Sequence, residues 1–151
     1  SLRASIRKSL KDTMSSMVPV TEEDVEDVYA YLASLEVPAA PQPPAGSPEA
    51  LSLERGQQLF AGKAGCVTCH QGERLTADLQ VKTGLESSRD FYEGYNPPSL
   101  RGLRNRRRFL HDGRGHSLEE VLTVYHQPQQ LAGEELTAEE LADLIRYLKS
   151  L

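Results

Sequence analysis

"GCVTCHQGE", residues 65–73, holds both cysteines of the chain, Cys66 and Cys69, with His70 directly after the second. Three chemistries use a Cys-x-x-Cys pair. A thioredoxin-type redox pair follows a strand in a βαβ unit, and no such unit is visible around residue 66. A tetrahedral zinc site would combine Cys66, Cys69, His111 and His116, which read C-x2-C…H-x4-H. The interval between those two pairs is far longer than in a zinc finger, and His70 is left without a role. Covalent haem uses every residue. Two cysteines one helical turn apart face the same way and form thioethers to two vinyl groups, and the next histidine lies under the ring as an iron ligand. We read Cys66 and Cys69 as the anchors of one covalent haem c, and His70 as its proximal ligand.

The flanking sequence is helical. "ALSLERGQQLFAGKAG" reads as a helix running into the cysteine pair, with Gly56 and Phe60 one turn apart. "SLEEVLTVYH" reads as a helix capped by Ser117 with Glu120 three residues on. "TAEELADLIRYLKSL" is the last helix, capped by Thr137 with Glu140, and its apolar face carries Leu141, Leu144, Ile145 and Leu148. Between them lies a loop-rich middle with the turn His111-Asp112-Gly113. Strand signal is weak; "DLQVKTG" is at most one short extended piece.

Upstream, "VPAAPQPPAGSP", residues 37–48, reads as an extended Pro-rich linker. Residues 1–36 read as two helices. "SIRKSLKDTMSSM" places Ile6, Leu10, Met14 and Met17 near one face. "TEEDVEDVYAYLASL" opens with Thr21 and Asp24 as a capping box and carries Val25, Val28, Tyr29, Leu32 and Leu35 as a stripe. So few residues cannot close a core alone. The endings "YAYLASL" and "IRYLKSL" resemble each other and hint at a duplicated helical unit.

The 151 residues carry a formal net charge of −5. That argues against nucleic acid as the partner, because phosphate binding needs a basic field. No apolar run reaches the length of a membrane span, and "SLRASIRKSL" lacks the apolar core of a signal peptide.

Residues 49–151 resemble a class I c-type cytochrome, in which the first and last helices cross where a small residue allows close approach. Gly56 and Phe60 on one helix, and Leu144, Tyr147 and Leu148 on the other, fit that crossing. "NPPSLRGLRNRRRFLHDGRGHSLEEVLTVY" is similar to the C-terminal haem domain of the di-haem cytochrome c peroxidase family. The resemblance implies an all-α class I cytochrome c fold with a short N-terminal helical extension. It makes residues 1–36 the tail of another cytochrome-like domain, residues 37–48 a linker and residues 49–151 the haem domain. It further implies that the carbonyl of Pro97 or Pro98, with Pro98 preferred, accepts the proximal histidine N–H. The function implied is one-electron transfer in the periplasm or another extracytoplasmic space, with a redox protein or another haem domain as partner. The competing reading is a peroxidase-like enzyme domain with an open or displaceable distal site.

The sixth iron ligand departs from the common pattern, since no methionine follows residue 70. The family's ligand position maps onto Tyr125 or His126. His126 is expected to ligate, because neutral imidazole is a strong iron ligand and Gln127-Pro128 marks a turn that presents it. Tyr125, His111 and Met17 are the alternatives, in that order; His111 is expected to orient a loop or meet a propionate, and His116 to face solvent. Arg101, Arg104, Arg106, Arg107, Arg108 and Arg114 crowd one stretch of an acidic chain. One or two, Arg101 first, are expected to bridge haem propionates. The others form a solvated loop or a docking face.

Overall fold

The computed structural model describes residues 2–14, 17–36, 39–86 and 94–151. The chain divides into two compact units, residues 1–37 and residues 38–151.

The first unit is a helical pair. α1 (Leu2–Lys8) continues as one π-helical turn over Ser9–Thr13, and α2 spans Glu22–Ser34. Thr21 and Asp24 form the expected capping box, each side chain bonded to the other's backbone N–H. Ile6 and Val25 are buried. Around them Arg3 pairs with Glu26 at 2.8 Å, while Arg7 and Lys11 both reach Glu22 at 2.6 and 2.8 Å. The Arg7 and Lys11 hydrogen bonds hold the Glu22 carboxyl down at about 2. The stripe expected on the first helix is corrected here: Ile6 is buried, but Met14, which caps the π-helical turn, and Met17 are exposed at 68% and 102%.

In the second unit Ser47 caps α3 (Pro48–Ala61), accepting from the Ala50 N–H, with Pro48 supplying a preset φ at the first helical position. α3 stops at Ala61 and does not run into the cysteines. A turn through Gly65, at φ +65°, leads instead to a 3-10 turn over Cys66–Thr68. The loop-rich middle holds a second 3-10 turn, Leu103–Asn105, and two isolated antiparallel bridges, Val81 with Tyr95 and Phe109 with Gly115. α4 (Leu118–Glu120) passes into a π-helical turn over Val121–Tyr125, a third 3-10 turn spans Pro128–Gln130, and α5 (Ala138–Ser150) closes the unit under its Thr137–Glu140 capping box. Among the described residues there is no strand beyond the two bridges, and the fold is that of an all-α class I cytochrome c.

α3 and α5 cross where the sequence places them. A Cβ on Gly56 would overlap the Asp143 carbonyl and come within 2.7 Å of the Tyr147 Cβ. Phe60 meets Tyr147 edge-on with ring centroids 5.5 Å apart. Buried Asp143 accepts a short hydrogen bond from the Ser52 hydroxyl and a bidentate pair from Arg55 at 2.6 and 3.1 Å. Leu144 is fully buried, which stabilises by roughly 1.5–3 kcal/mol. Phe60, Ala64, Leu103, Leu118, Leu122, Leu144 and Leu148 make one core, and Cys66, Leu75 and Leu100 pack against it.

α2 repeats α5 in register. Thr21, Asp27, Tyr31, Leu32, Ser34 and Leu35 match Thr137, Asp143, Tyr147, Leu148, Ser150 and Leu151. Ser34 and Ser150 even make the same bond, each hydroxyl donating to the carbonyl three residues back at 2.7 Å. The environments differ. Asp143 and Leu148 are buried beside α3, whereas Asp27, Tyr31 and Leu32 are exposed.

Candidate haem site

The left-handed Gly65 and the following 3-10 turn bring the cysteine-histidine motif back toward the core. The Cys69 and His70 N–H groups both bond to the Cys66 carbonyl, at 3.2 and 2.9 Å. Both cysteines are free and half-buried; burial pushes the Cys66 thiol up to about 11. A close backbone seam fixes this turn to the far side of the domain. A Cβ on Gly65 would lie 2.5 Å from the Ala132 carbonyl oxygen, and one on Gly133 would overlap the Ala64 carbonyl. The Glu134 N–H completes the seam by donating to the Lys63 carbonyl at 2.8 Å.

His70 is buried, and its Nδ1 lies 3.0 Å from the Leu75 carbonyl oxygen. The Pro98 carbonyl also bonds to the ring. Burial lowers the His70 pKa, and the two carbonyl contacts oppose that shift without cancelling it. With Nδ1–H donated to a carbonyl, the lone pair sits on Nε2, the tautomer a metal needs. Pro97 has other work, since its carbonyl takes the Thr76 hydroxyl. The Leu75 carbonyl was missed by sequence reasoning. It depends on a positive φ, 51°, at a leucine, and no sequence signal announces that.

His126 ends the π-helical turn of α4. Its N–H bonds to the Val121 carbonyl at 2.7 Å, and its Nδ1 is buried without a hydrogen-bond partner. Burial depresses its pKa first, and the positive charge His70 carries when protonated adds to the effect. Two histidines thus lie near each other, both disposed to stay neutral. Buried polar atoms are nearly always satisfied, so an orphaned imidazole nitrogen calls for a partner. An iron bound by His126 would meet that need, and the two free cysteines beside His70 are the side chains that would form thioethers; the donor set fits a haem.

The other candidates lie elsewhere. The Tyr125 hydroxyl points to Glu120 Oε1 at 3.4 Å, and the Arg114 guanidinium lies 5.6 Å from its ring centre. His111 is exposed and stacks on Tyr95 at 4.3 Å. His116 is exposed, with Nδ1 2.5 Å from Arg108 Nη1. Among the described residues no three histidine, cysteine or acidic side chains gather as a metal site would need, so the zinc set does not assemble. Arg101 is exposed, and its Nε donates to the Glu73 carbonyl at 2.6 Å, close in sequence to His70. Among the described residues no helix is long and apolar enough to cross a membrane.

The family model for cytochrome c matches residues 53–151, and the chain belongs to that family. It carries haem c covalently. The similarity to the di-haem cytochrome c peroxidase family holds too. The chain is 34% identical over 119 residues to the methylamine utilization protein MauG of Methylorubrum extorquens, an alignment covering 65% of this chain and 34% of that protein. It is 25% identical over 159 residues to the cytochrome-c peroxidase IdrP1 of Denitromonas iodatirespirans, covering 71% of this chain and 42% of that one. The chain thus spans well under half the length of either relative. Among solved structures, hydrazine synthase of Kuenenia stuttgartiensis shares the fold with a TM-score of 0.64 at 21% identity, over 98% of this chain and 60% of that one.

Proposed function

We propose that the domain is a one-electron carrier in the periplasm or another extracytoplasmic space, with haem c held by Cys66 and Cys69 and its iron by His70 and His126. When bound, the haem supplies reversible one-electron chemistry. The protein's residues supply the rest: the Leu75 carbonyl orients His70, His126 would be the second iron ligand, and Arg101 would meet a propionate. The observation that carries the reading is the buried, partnerless Nδ1 of His126 in the neighbourhood of His70. Two protein ligands leave no open position for substrate. We assign residues 49–151 to the haem domain and 37–48 to a linker. Residues 1–36 are the closing part of a second cytochrome-like domain, a reading supported by the in-register repeat of α5 in α2.

One observation favours a second reading, a peroxidase-like enzyme with a displaceable distal ligand. A protein carbonyl holds the His70 ring, whereas no protein hydrogen bond holds the His126 ring, so only the iron would fix it. The ferric spectrum separates the two. A low-spin protein that is inert to peroxide and becomes high-spin in His126→Ala supports electron transfer. A high-spin wild type that consumes peroxide establishes the enzyme instead. Intact mass of the denatured protein must show the chain plus one haem.

A further inference from the structure

Among the described residues six cations are matched to a carboxylate. Arg3, Arg7, Lys11, Arg55, Lys63 and Arg114 sit in ion pairs. A different pattern holds where the 3-10 turn Leu103–Asn105 lies beside the end of α5, joined to it by the Gly102 N–H donating to the Leu151 carbonyl at 2.9 Å. There Arg104, Arg146 and Lys149 line one open cleft of about 320 Å³ together with Pro41, Pro43 and Leu53, and Glu49 is its one acid. Arg106 and Arg107 follow Arg104 across Asn105, and all five cations are exposed. Among the described residues Arg104, Arg106, Arg107 and Lys149 make no hydrogen bond or ion pair. Arg146 feels the Asp143 carboxylate only through space.

We propose that this face is a docking surface for an acidic protein, the redox partner that exchanges one electron with the haem. The identity of the partner as a redox protein rests on the electron-transfer reading above; the charge argument does not. Cations held together and unpaired keep a local positive field, and a cleft lined by them and by apolar side chains fits a partner surface that is acidic and partly apolar. Leu103 ties the face to the site: its side chain lies in the core against which Cys66 packs, while the adjacent Arg104 faces solvent. In the exchange one electron leaves the reduced partner and the ferric haem becomes ferrous; no bond forms or breaks.

The sign of the salt dependence decides the matter. The net charge repels an acidic partner, so a field without a patch makes the association rate rise as salt is added. The patch makes it fall. The experiment is stopped-flow reduction of the ferric holoprotein by a reduced acidic flavodoxin as probe, from about 20 to 200 mM salt. The rate constant should fall about tenfold across that range, and poly-L-glutamate but not poly-L-lysine should compete. Arg104→Glu, and separately Lys149→Glu, should slow the low-salt reaction severalfold and flatten the salt dependence. Lys8→Glu changes net charge equally on the other unit and should do neither. A rate that rises with salt, or equal slowing by Lys8→Glu and Arg104→Glu, overturns the proposal. Reduction by dithionite and the absorption spectrum report the haem separately. If those fail in the wild type, the function reading is wrong; if they hold while the salt slope is positive, only the docking surface is.

Discussion

Gly56 and Tyr147 stand so close that a single methyl group on the glycine would press within 2.7 Å of the tyrosine Cβ. The nearer obstacle is the Asp143 backbone carbonyl, which cannot swing aside as a side chain would. Gly56→Leu should therefore destabilise the holoprotein toward the upper end of the roughly 1–3 kcal/mol typical of overpacking. Gly56→Ala should also lose stability, despite the better helix propensity of alanine. Denaturant melts of both variants check this; an unchanged midpoint for Gly56→Leu contradicts the helix contact.

Asp143 makes the same crossing pH-sensitive. The Arg55 hydrogen bond holds its carboxyl below the usual range, the Ser52 hydroxyl assists, and burial works against them. A depressed folded pKa adds stability above the unfolded value of about 3.9, and that stability is lost as pH falls through the folded pKa. Asp143→Asn should cost about 1–2 kcal/mol at neutral pH, discounted because Arg55 is half in water. The gap to wild type should close as the solution is acidified. Melts at several pH values read this directly; a gap that stays constant into acid places the stabilisation elsewhere.

The distal ligand can be assigned by two substitutions with opposite outcomes. The Tyr125 hydroxyl is turned to Glu120, so Tyr125→Phe should leave the ferric low-spin spectrum as it is. His126→Met should preserve a low-spin iron and raise the reduction potential, because thioether ligation favours the ferrous state. A Tyr125→Phe protein that turns high-spin identifies tyrosinate as the ligand and removes His126 from that role.

Gly65 should link backbone strain to iron coordination. Alanine there must hold a φ of +65°, which costs about 1–3 kcal/mol, and its Cβ pushes on Ala132. The segment pushed begins six residues after His126. Gly65→Ala should lower the melting temperature and raise the high-spin fraction together. Loss of stability with no spectral change would separate the seam from the distal side.

The helix caps were open to reading because they are local: Thr21 with Asp24 and Thr137 with Glu140 each satisfy end groups within four residues. The α3–α5 crossing was legible through the rarity of glycine inside a helix that otherwise favours it little. The break in α4 was not. "SLEEVLTVYH" reads as one helix, yet only Leu118–Glu120 is α-helical and the rest is a π-helical turn closed by the His126 N–H. That widening is a tertiary choice, paired with burial of Val121 and Leu122. The first helix misled for the opposite reason, since a stripe through Met14 and Met17 has the right period but both side chains are exposed. The covalent haem was readable because its attachment chemistry imposes a fixed spacing on cysteine and histidine. The Leu75 carbonyl and the Gly65–Gly133 seam depend on where loops return, which no local pattern encodes.

That seam bears on how quickly the iron can change charge. Electron transfer is slowed by whatever must rearrange when the oxidation state alters, so the low-friction design is one whose two axial sides cannot drift apart. Here the segment just before the cysteine-histidine motif and the loop after His126 are held backbone to backbone, through Gly65 against Ala132, Gly133 against Ala64 and Glu134 bonded to Lys63. No flexible side chain intervenes at these contacts. In the ligation proposed above, a small reorganisation energy would then come from two glycines that never touch the haem, and a survey of fast and slow variants should look for its determinants in that loop before it looks at the ligands.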